Sequence, residues 1–283
     1  MNVRIIPRLD IKGPNLVKGI HLEGLRVLGR PEDFARYYYE NGADELFFQD
    51  VVASLYERNS LNNIITKTAS EIFIPLTVGG GLRTIEDIRT VLRAGADKVS
   101  INTAAIRNPQ FIKEASRTFG SSTIVVAIEA IKQRNGEYLA FIDNGREYTG
   151  VEVLSWAHQV EELGAGEICL TSVDREGTGL GFDLDLIKTI TSELSIPVIA
   201  HGGAGSIADI KDAITKAHAN SVAIASILHY GYLSSSLEKL EKTNEGNIEF
   251  LKNGLSFKRI TPVHIDQIKN VLVNSEISCR YNL

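Results

Sequence analysis

Apolar and polar positions follow two periods along most of this chain. Short β-branched runs predict strands over residues 4–11, 45–50, 74–78, 98–102, 123–130, 167–172, 197–201 and 221–225. Between most of them apolar residues return at helical spacing, as Ile85, Ile88, Val91 and Leu92 do. That spacing predicts helices over 31–41, 84–94, 109–119, 152–163, 184–194 and 206–217. Strand–helix alternation sustained in this way means a parallel sheet with helices outside it.

The pattern also repeats. IPLTVGGGLRTIEDIRTVL, from Ile74, matches IPVIAHGGAGSIADIKDAI, from Ile196, at an offset of 122 residues (196 − 74). GADEL at Gly42 matches GAGEI at Gly164 at the same offset, and VSINT pairs with VAIAS one residue later in register. The strand ending at Asp10 then falls on the one ending at Glu129. Two four-(βα) halves close naturally into an α/β architecture, the eight-stranded (β/α)8 TIM barrel; an open doubly wound sheet is the alternative. The barrel is expected over residues 1–244. Residues 245–283 have no partner in the repeat and form a C-terminal extension. Its 263–273 stretch has a helical pattern, suited to packing on the barrel or to oligomerisation.

Composition narrows the function. The 283 residues carry 30 Lys+Arg against 35 Asp+Glu, a net charge of −5, with 43% hydrophobic and 23% charged positions. Such a balance fits a globular protein and argues against nucleic acid as the main partner. Two cysteines cannot form a disulfide framework, and the opening MNVRIIPRLD has no signal-peptide core. The apolar run 124–128 is far too short for a membrane span. A cytoplasmic protein is expected. The six histidines form no recognisable ligand pair with the cysteines, so neither a metal nor a cofactor is expected. Cys169 and Trp156 read as packing.

In barrels of this kind the loops after the strands carry the chemistry. Two of those loops are glycine-rich and related by the repeat, one at Gly80 and Gly81, the other at Gly202 and Gly203. Backbone N–H groups without side chains can close on phosphate oxygens, and Thr84 and Ser206 stand where helix caps belong. Asn102 and Thr103 face one corner, Ala225 and Ser226 the other. One elongated ligand with a phosphate at each end is implied. Asp10 and Glu129 end equivalent strands between the corners and suit paired acid–base work on its middle. Glu176 is a weaker third acid. At the opposite end, Arg4, Glu45, Lys98 and Glu167 face inward by period-two counting, as a plug of ion pairs or a gate to a small solute.

RIIPRLDIKGPNLVKG, GADELFFQDVVAS, IPLTVGGG, GADKVSINTAA, VVAI, GAGEICLTSVDREGT and GGAG followed by IASILH resemble the cyclase subunit of imidazole glycerol phosphate synthase, from about Val3 to Tyr230. The resemblance implies a (β/α)8 barrel of histidine biosynthesis. It implies ammonia supplied by a glutaminase docked at the amino-terminal face. The acceptor would be phosphoribulosyl-formimino-aminoimidazole carboxamide ribotide, which carries a phosphate at each end. The products would be imidazole glycerol phosphate and aminoimidazole carboxamide ribotide. By the same likeness Asp10 and Glu129 are the catalytic pair and Lys18 a mobile-loop lysine. Gly81, Asn102 and Thr103 hold one phosphate, Gly203 and Ser226 the other, and Thr171 and Ser172 line the pocket. Arg4, Glu45, Lys98 and Glu167 match the ammonia gate, and Asp97 matches a residue that docks the glutaminase.

Several positions depart from that pattern. Glu129 is a methylene longer than the expected aspartate, and Glu176 replaces another. His201 stands in place of a serine, and Gln49 brings an amide to an apolar position. Arg8 should point inward one layer below Asp10, where a small neutral residue is usual; pairing with Asp10 or Glu129, it should lower their pKa. These departures keep two other readings open. One is a paralogue forming an amidine on a nucleotide sugar for surface polysaccharide; the other is a silent barrel that activates the glutaminase. A sister isomerase sharing the duplicated barrel fits less well, because Lys98, Glu167 and GADKVSINTAA resemble the cyclase.

Overall fold

The computed structural model describes residues 2–53, 61–235 and 259–281. The boundary expected between residues 244 and 245 lies outside them. The first half runs from β1 (Arg4–Lys12) through a hairpin of β2 (Asn15–Ile20) and β3 (Glu23–Gly29) to α1 (Pro31–Glu40). Then come β4 (Leu46–Asp50), α2 (Asn62–Ala69), β5 (Leu76–Gly79), α3 (Ile85–Arg93), β6 (Lys98–Ile101), α4 (Thr103–Arg107) and α5 (Gln110–Phe119). The second half opens on β7 (Ile124–Lys132) and its own hairpin, β8 (Tyr138–Ile142) and β9 (Glu147–Glu152), before α6 (Val153–Glu162). It continues with β10 (Glu167–Ser172), α7 (Leu184–Thr191), β11 (Val198–His201), α8 (Ile207–Thr215), β12 (Ser221–Ile224) and α9 (Ser226–Ser235).

Parallel pairing runs β1–β4–β5–β6–β7–β10–β11–β12 and closes from β12 back to β1, with Arg4 opposite Ser221 and Ile6 opposite Ala223. Eight strands therefore form a barrel, and the open-sheet alternative falls away. The hairpins β2–β3 and β8–β9 extend antiparallel from β1 and β7, the equivalent strands of the two halves.

Period-two alternation decides what each strand buries. On β1, Ile5, Leu9 and Ile11 join the layer between sheet and helices, while Ile6 points inside. The barrel centre is a separate cluster of Ile6, Phe47, Val125, Ala127, Cys169, Ile199 and Ala223. Each large side chain there contributes roughly 1.5–3 kcal/mol by leaving water. This cluster is the floor of the mouth. Trp156 and Cys169 are buried, as packing residues should be.

The C-terminal pattern is a helix, α10 (Ile265–Asn274), whose Ile265, Ile268 and Leu272 pack into the outer layer. Beyond it the chain returns to the start of β1, where Val3 N–H donates to the Ser278 carbonyl at 2.8 Å. Asp44 ties these ends together by accepting from Lys269 (2.7 Å), Arg280 (3.2 Å) and the Ile5 N–H (2.8 Å).

Candidate active site

The first glycine corner follows β5. Gly80 adopts φ +103°, and a Cβ there would lie 2.3 Å from the Asp50 carbonyl oxygen, so only glycine allows this turn. Thr84 then caps α3 reciprocally with Asp87, whose N–H donates to Thr84 Oγ1 at 3.1 Å. The corner opens on a cavity of about 330 Å³ lined by Gly80, Gly81, Asn102, Thr103, Arg8, Gln49, Glu129 and Thr171. The β8–β9 hairpin forms its far wall: Asp143 N–H donates to Thr103 Oγ1 (3.2 Å), and Asn102 Nδ2 donates to the Phe141 carbonyl (3.2 Å).

The second corner follows β11. A Cβ on Gly203 would stand 2.2 Å from the Gly181 carbonyl oxygen, at φ +113°. Asp209 accepts from the Ser206 N–H at 2.8 Å and so fixes the start of α8. The hollow here holds only about 20 Å³, lined by Gly202, Gly203, Ala225, Ser226, His201, Lys18 and Glu176. The Lys18 ammonium is ion-paired to Glu176, and Glu176 also accepts the Leu22 N–H at 2.8 Å. Lys18 and Glu176 thus strap the β2–β3 hairpin onto the loop after β10. The two hollows share no lining residue.

Charged side chains occupy the ground around the corners. Arg8, 3% exposed, donates from Nε to Asp10 Oδ1 at 3.0 Å and lies over the Phe47 ring, 5.5 Å from its centroid. Burial alone would lower its pKa, but its anionic surroundings, Asp10 foremost and Glu129 with it, together outweigh that and the guanidinium stays charged. Lys18 Nζ is 4.0 Å from the other Asp10 oxygen. Glu129 is buried, and Gly145 N–H donates to its Oε2 at 2.8 Å. Burial pushes this carboxyl up to about 7, further than Arg8 and Gly145 pull it down. For Glu129 the expected downward shift is therefore reversed, because desolvation is larger than the Arg8 attraction. His201 is held neutral by burial and by the Arg8 and Lys18 cations.

Register explains the neighbours. Thr171 lies opposite Glu129 on one side and opposite His201 on the other, so β7, β10 and β11 present these three side by side. Asp10 lies opposite Gln49. Asp10 and Ser172 line neither space. Asp10 is closed in by Arg8 and Lys18, and Ser172 alternates away from Thr171 across the strand.

At the amino-terminal end the four charges close into a ring. Arg4 pairs with Glu45 (2.8 Å) and with Glu167, and Lys98 pairs with Glu45 (3.1 Å) and Glu167 (3.0 Å). Thr77 donates to Glu45 at 2.6 Å and Arg4 donates to Ser221 at 3.0 Å, so the ring is anchored to the wall. Asp97 is exposed on the same end and accepts the Leu76 N–H at 2.9 Å. Phe73, 82% exposed, borders the same shallow hollow as Asp97.

The residues that the sequence reading missed are on the hairpins. Asp143, Asn144 and Gly145 make a left-handed turn (φ +51°, +63°, +78°), and Asn144 Nδ2 reaches across to the Leu22 carbonyl at 3.1 Å. Their Asp-Asn-Gly sequence is itself a hairpin signal. Among the described residues no group of three or more His, Cys, Asp or Glu side chains is placed to hold a metal ion, and no helix is long and apolar enough to cross a membrane.

Residues 4–234 match the family described as histidine biosynthesis protein. The chain is 57% identical over 206 residues to imidazole glycerol phosphate synthase subunit HisF of Legionella pneumophila, covering 73% of this chain and 97% of that one. It is 47% identical over 231 residues to the subunit of the same name from Alkaliphilus metalliredigens, 82% of this chain and 92% of that one. With its counterpart in Lactococcus lactis subsp. cremoris the identity is 48% over 229 residues, 81% and 88% of the two chains.

Proposed function

The chain belongs to the histidine biosynthesis protein family, and we propose that it acts there as the cyclase subunit of imidazole glycerol phosphate synthase. It is a lyase that takes ammonia and phosphoribulosyl-formimino-aminoimidazole carboxamide ribotide to imidazole glycerol phosphate and aminoimidazole carboxamide ribotide. One observation carries the reading beyond the family. A buried carboxyl with a pKa near 7 faces a glycine-cornered cavity at one end of the barrel, and a closed four-charge ring stands at the other.

In this reading the two glycine corners take the substrate's two phosphates. The 330 Å³ cavity accepts the first end directly. The second end requires the Lys18–Glu176 strap to move, because the hollow beneath it is close to filled. Glu129 exchanges protons with the ligand's centre, which a group titrating near working pH does efficiently. Asp10, flanked by Arg8 and Lys18, serves as base or electrostatic partner once the strap opens. Ammonia enters through the ring of Arg4, Glu45, Lys98 and Glu167, supplied by a glutaminase bound on the face carrying Asp97 and Phe73. A cytoplasmic site of action fits this reading.

The decisive assay gives purified protein the bis-phosphorylated substrate and an ammonium salt at alkaline pH. Loss of substrate with formation of the imidazole product is expected, and Asp10→Asn should slow it at least about 100-fold. Binding without turnover would instead indicate a silent barrel, and failure to bind would point to another acceptor.

A further inference from the structure

A buried histidine lines the second glycine corner. His201 ends β11 and is 3% exposed; its Nδ1 lies 3.3 Å from Arg8 Nη1 and 3.1 Å from Thr171 Oγ1. A guanidinium has no lone pair to offer, so Nδ1 meets Arg8 only as an acceptor. A proton on Nδ1 would point at another N–H. Thr171 Oγ1 can donate or accept, so it is the Arg8 cation that favours Nδ1 as the acceptor and Nε2 as the site of the neutral ring's one proton. That atom has no hydrogen-bond partner among the described residues, and the ring lines the same hollow as Gly203, Ser226 and Lys18. Arg8 has little freedom to release it, being buried, bonded to Asp10 through Nε and laid over Phe47.

We propose that Arg8 sets the tautomer of His201, and that His201 Nε2–H is thereby a phosphate-binding donor of the second corner. Arg8 is then a positioning residue. The inference rests on the reading that this corner holds one of the substrate's two phosphates. The electrostatics favour such a donor. Arg8 and Lys18 already place two cations beside the ring, and together with burial they keep it uncharged. A neutral N–H adds a bond to the oxyanion without adding a third charge to a closed space. A serine hydroxyl would rotate, whereas an imidazole fixed by Arg8 aims its proton in one direction.

The test follows histidine ring nitrogens and the Gly203 and Ser226 amides by nuclear magnetic resonance while inorganic phosphate is titrated into the full chain. The same titration is run on Arg8→Met, His201→Gln and His201→Leu. In the free protein Nδ1 should be unprotonated and Nε2 protonated, and phosphate should shift Nε2–H together with the two amides. His201→Leu should weaken phosphate binding at this corner about tenfold, as expected for losing a bond to a charged group. His201→Gln, whose amide nitrogen reaches to where Nε2 stood, should recover most of it. Arg8→Met should give mixed tautomers. A proton found on Nδ1, or amide shifts with Nε2–H unmoved, overturns the inference while the two-phosphate reading stands. An unchanged tautomer in Arg8→Met overturns the part assigned to Arg8. Phosphate that moves neither amide overturns both readings.

Discussion

At Glu129 the folded protein holds a carboxyl that titrates near 7 against an ordinary value of 4.5. Between those two values the native state binds the extra proton and the unfolded state does not. Stability from this site therefore falls as pH rises from 4.5 to 7, and is level above. Glu129→Gln removes that slope and keeps an acceptor for the Gly145 N–H. Urea titrations should show the variant gaining on the parent across this window, by on the order of 3 kcal/mol at pH 8 relative to pH 4.5. Its turnover should fall about 100-fold and lose any limb near pH 7. A stability gap of equal size at both pH values would acquit the carboxyl. Counting by twos from Asp10 is enough to place Arg8 inside the barrel, and the same counting finds all four members of the charged ring. Depth of burial cannot be read that way, which is why the direction of the Glu129 shift was missed. The Arg8–His201 contact was equally illegible, since it joins strands separated by β12 and residues 193 apart in sequence.

Among the elements, the eight barrel strands lie within about two residues of their predicted spans, because inner and outer faces impose opposite polarity on alternate positions. The hairpins were not anticipated, although Asp143-Asn144-Gly145 marks one turn. A reading tuned to strand–helix alternation passes over a strand pair that returns to its own strand. These hairpins make the mouth a joint product of both halves. Leu22 at the tip of β2–β3 accepts from Asn144 at the tip of β8–β9, and each tip also holds an acid, Glu176 in one case and Glu129 in the other. Asn144→Ala breaks the bond between tips without touching either acid. Amide hydrogen exchange at Gly145 should quicken about fivefold or more, with a loss of global stability of about 1 kcal/mol. Unchanged protection at Gly145 would mean that the tips are held independently.

Across the whole molecule the two ends of the barrel are chemically unlike, with glycine corners and acids at the mouth and the charged ring with Phe73 and Asp97 at the base. A phenylalanine 82% exposed gains nothing for the isolated barrel beyond its edge contact with Tyr39. Phe73→Asp should leave thermal stability within about 0.5 kcal/mol. Ammonium-dependent turnover should also survive, while titration calorimetry shows the glutaminase bound at least about tenfold more weakly. Undiminished binding would place the partner elsewhere. The base also gathers the chain's extremities, which no local pattern reveals, since Val3 and Ser278 meet only through the closed fold. Asp44, the knot between them, immediately precedes Glu45 of the ring. Fraying around Ser278 would thus slacken the footing of Glu45 and loosen the ring of charges, at the opposite end of the barrel from the glycine corners.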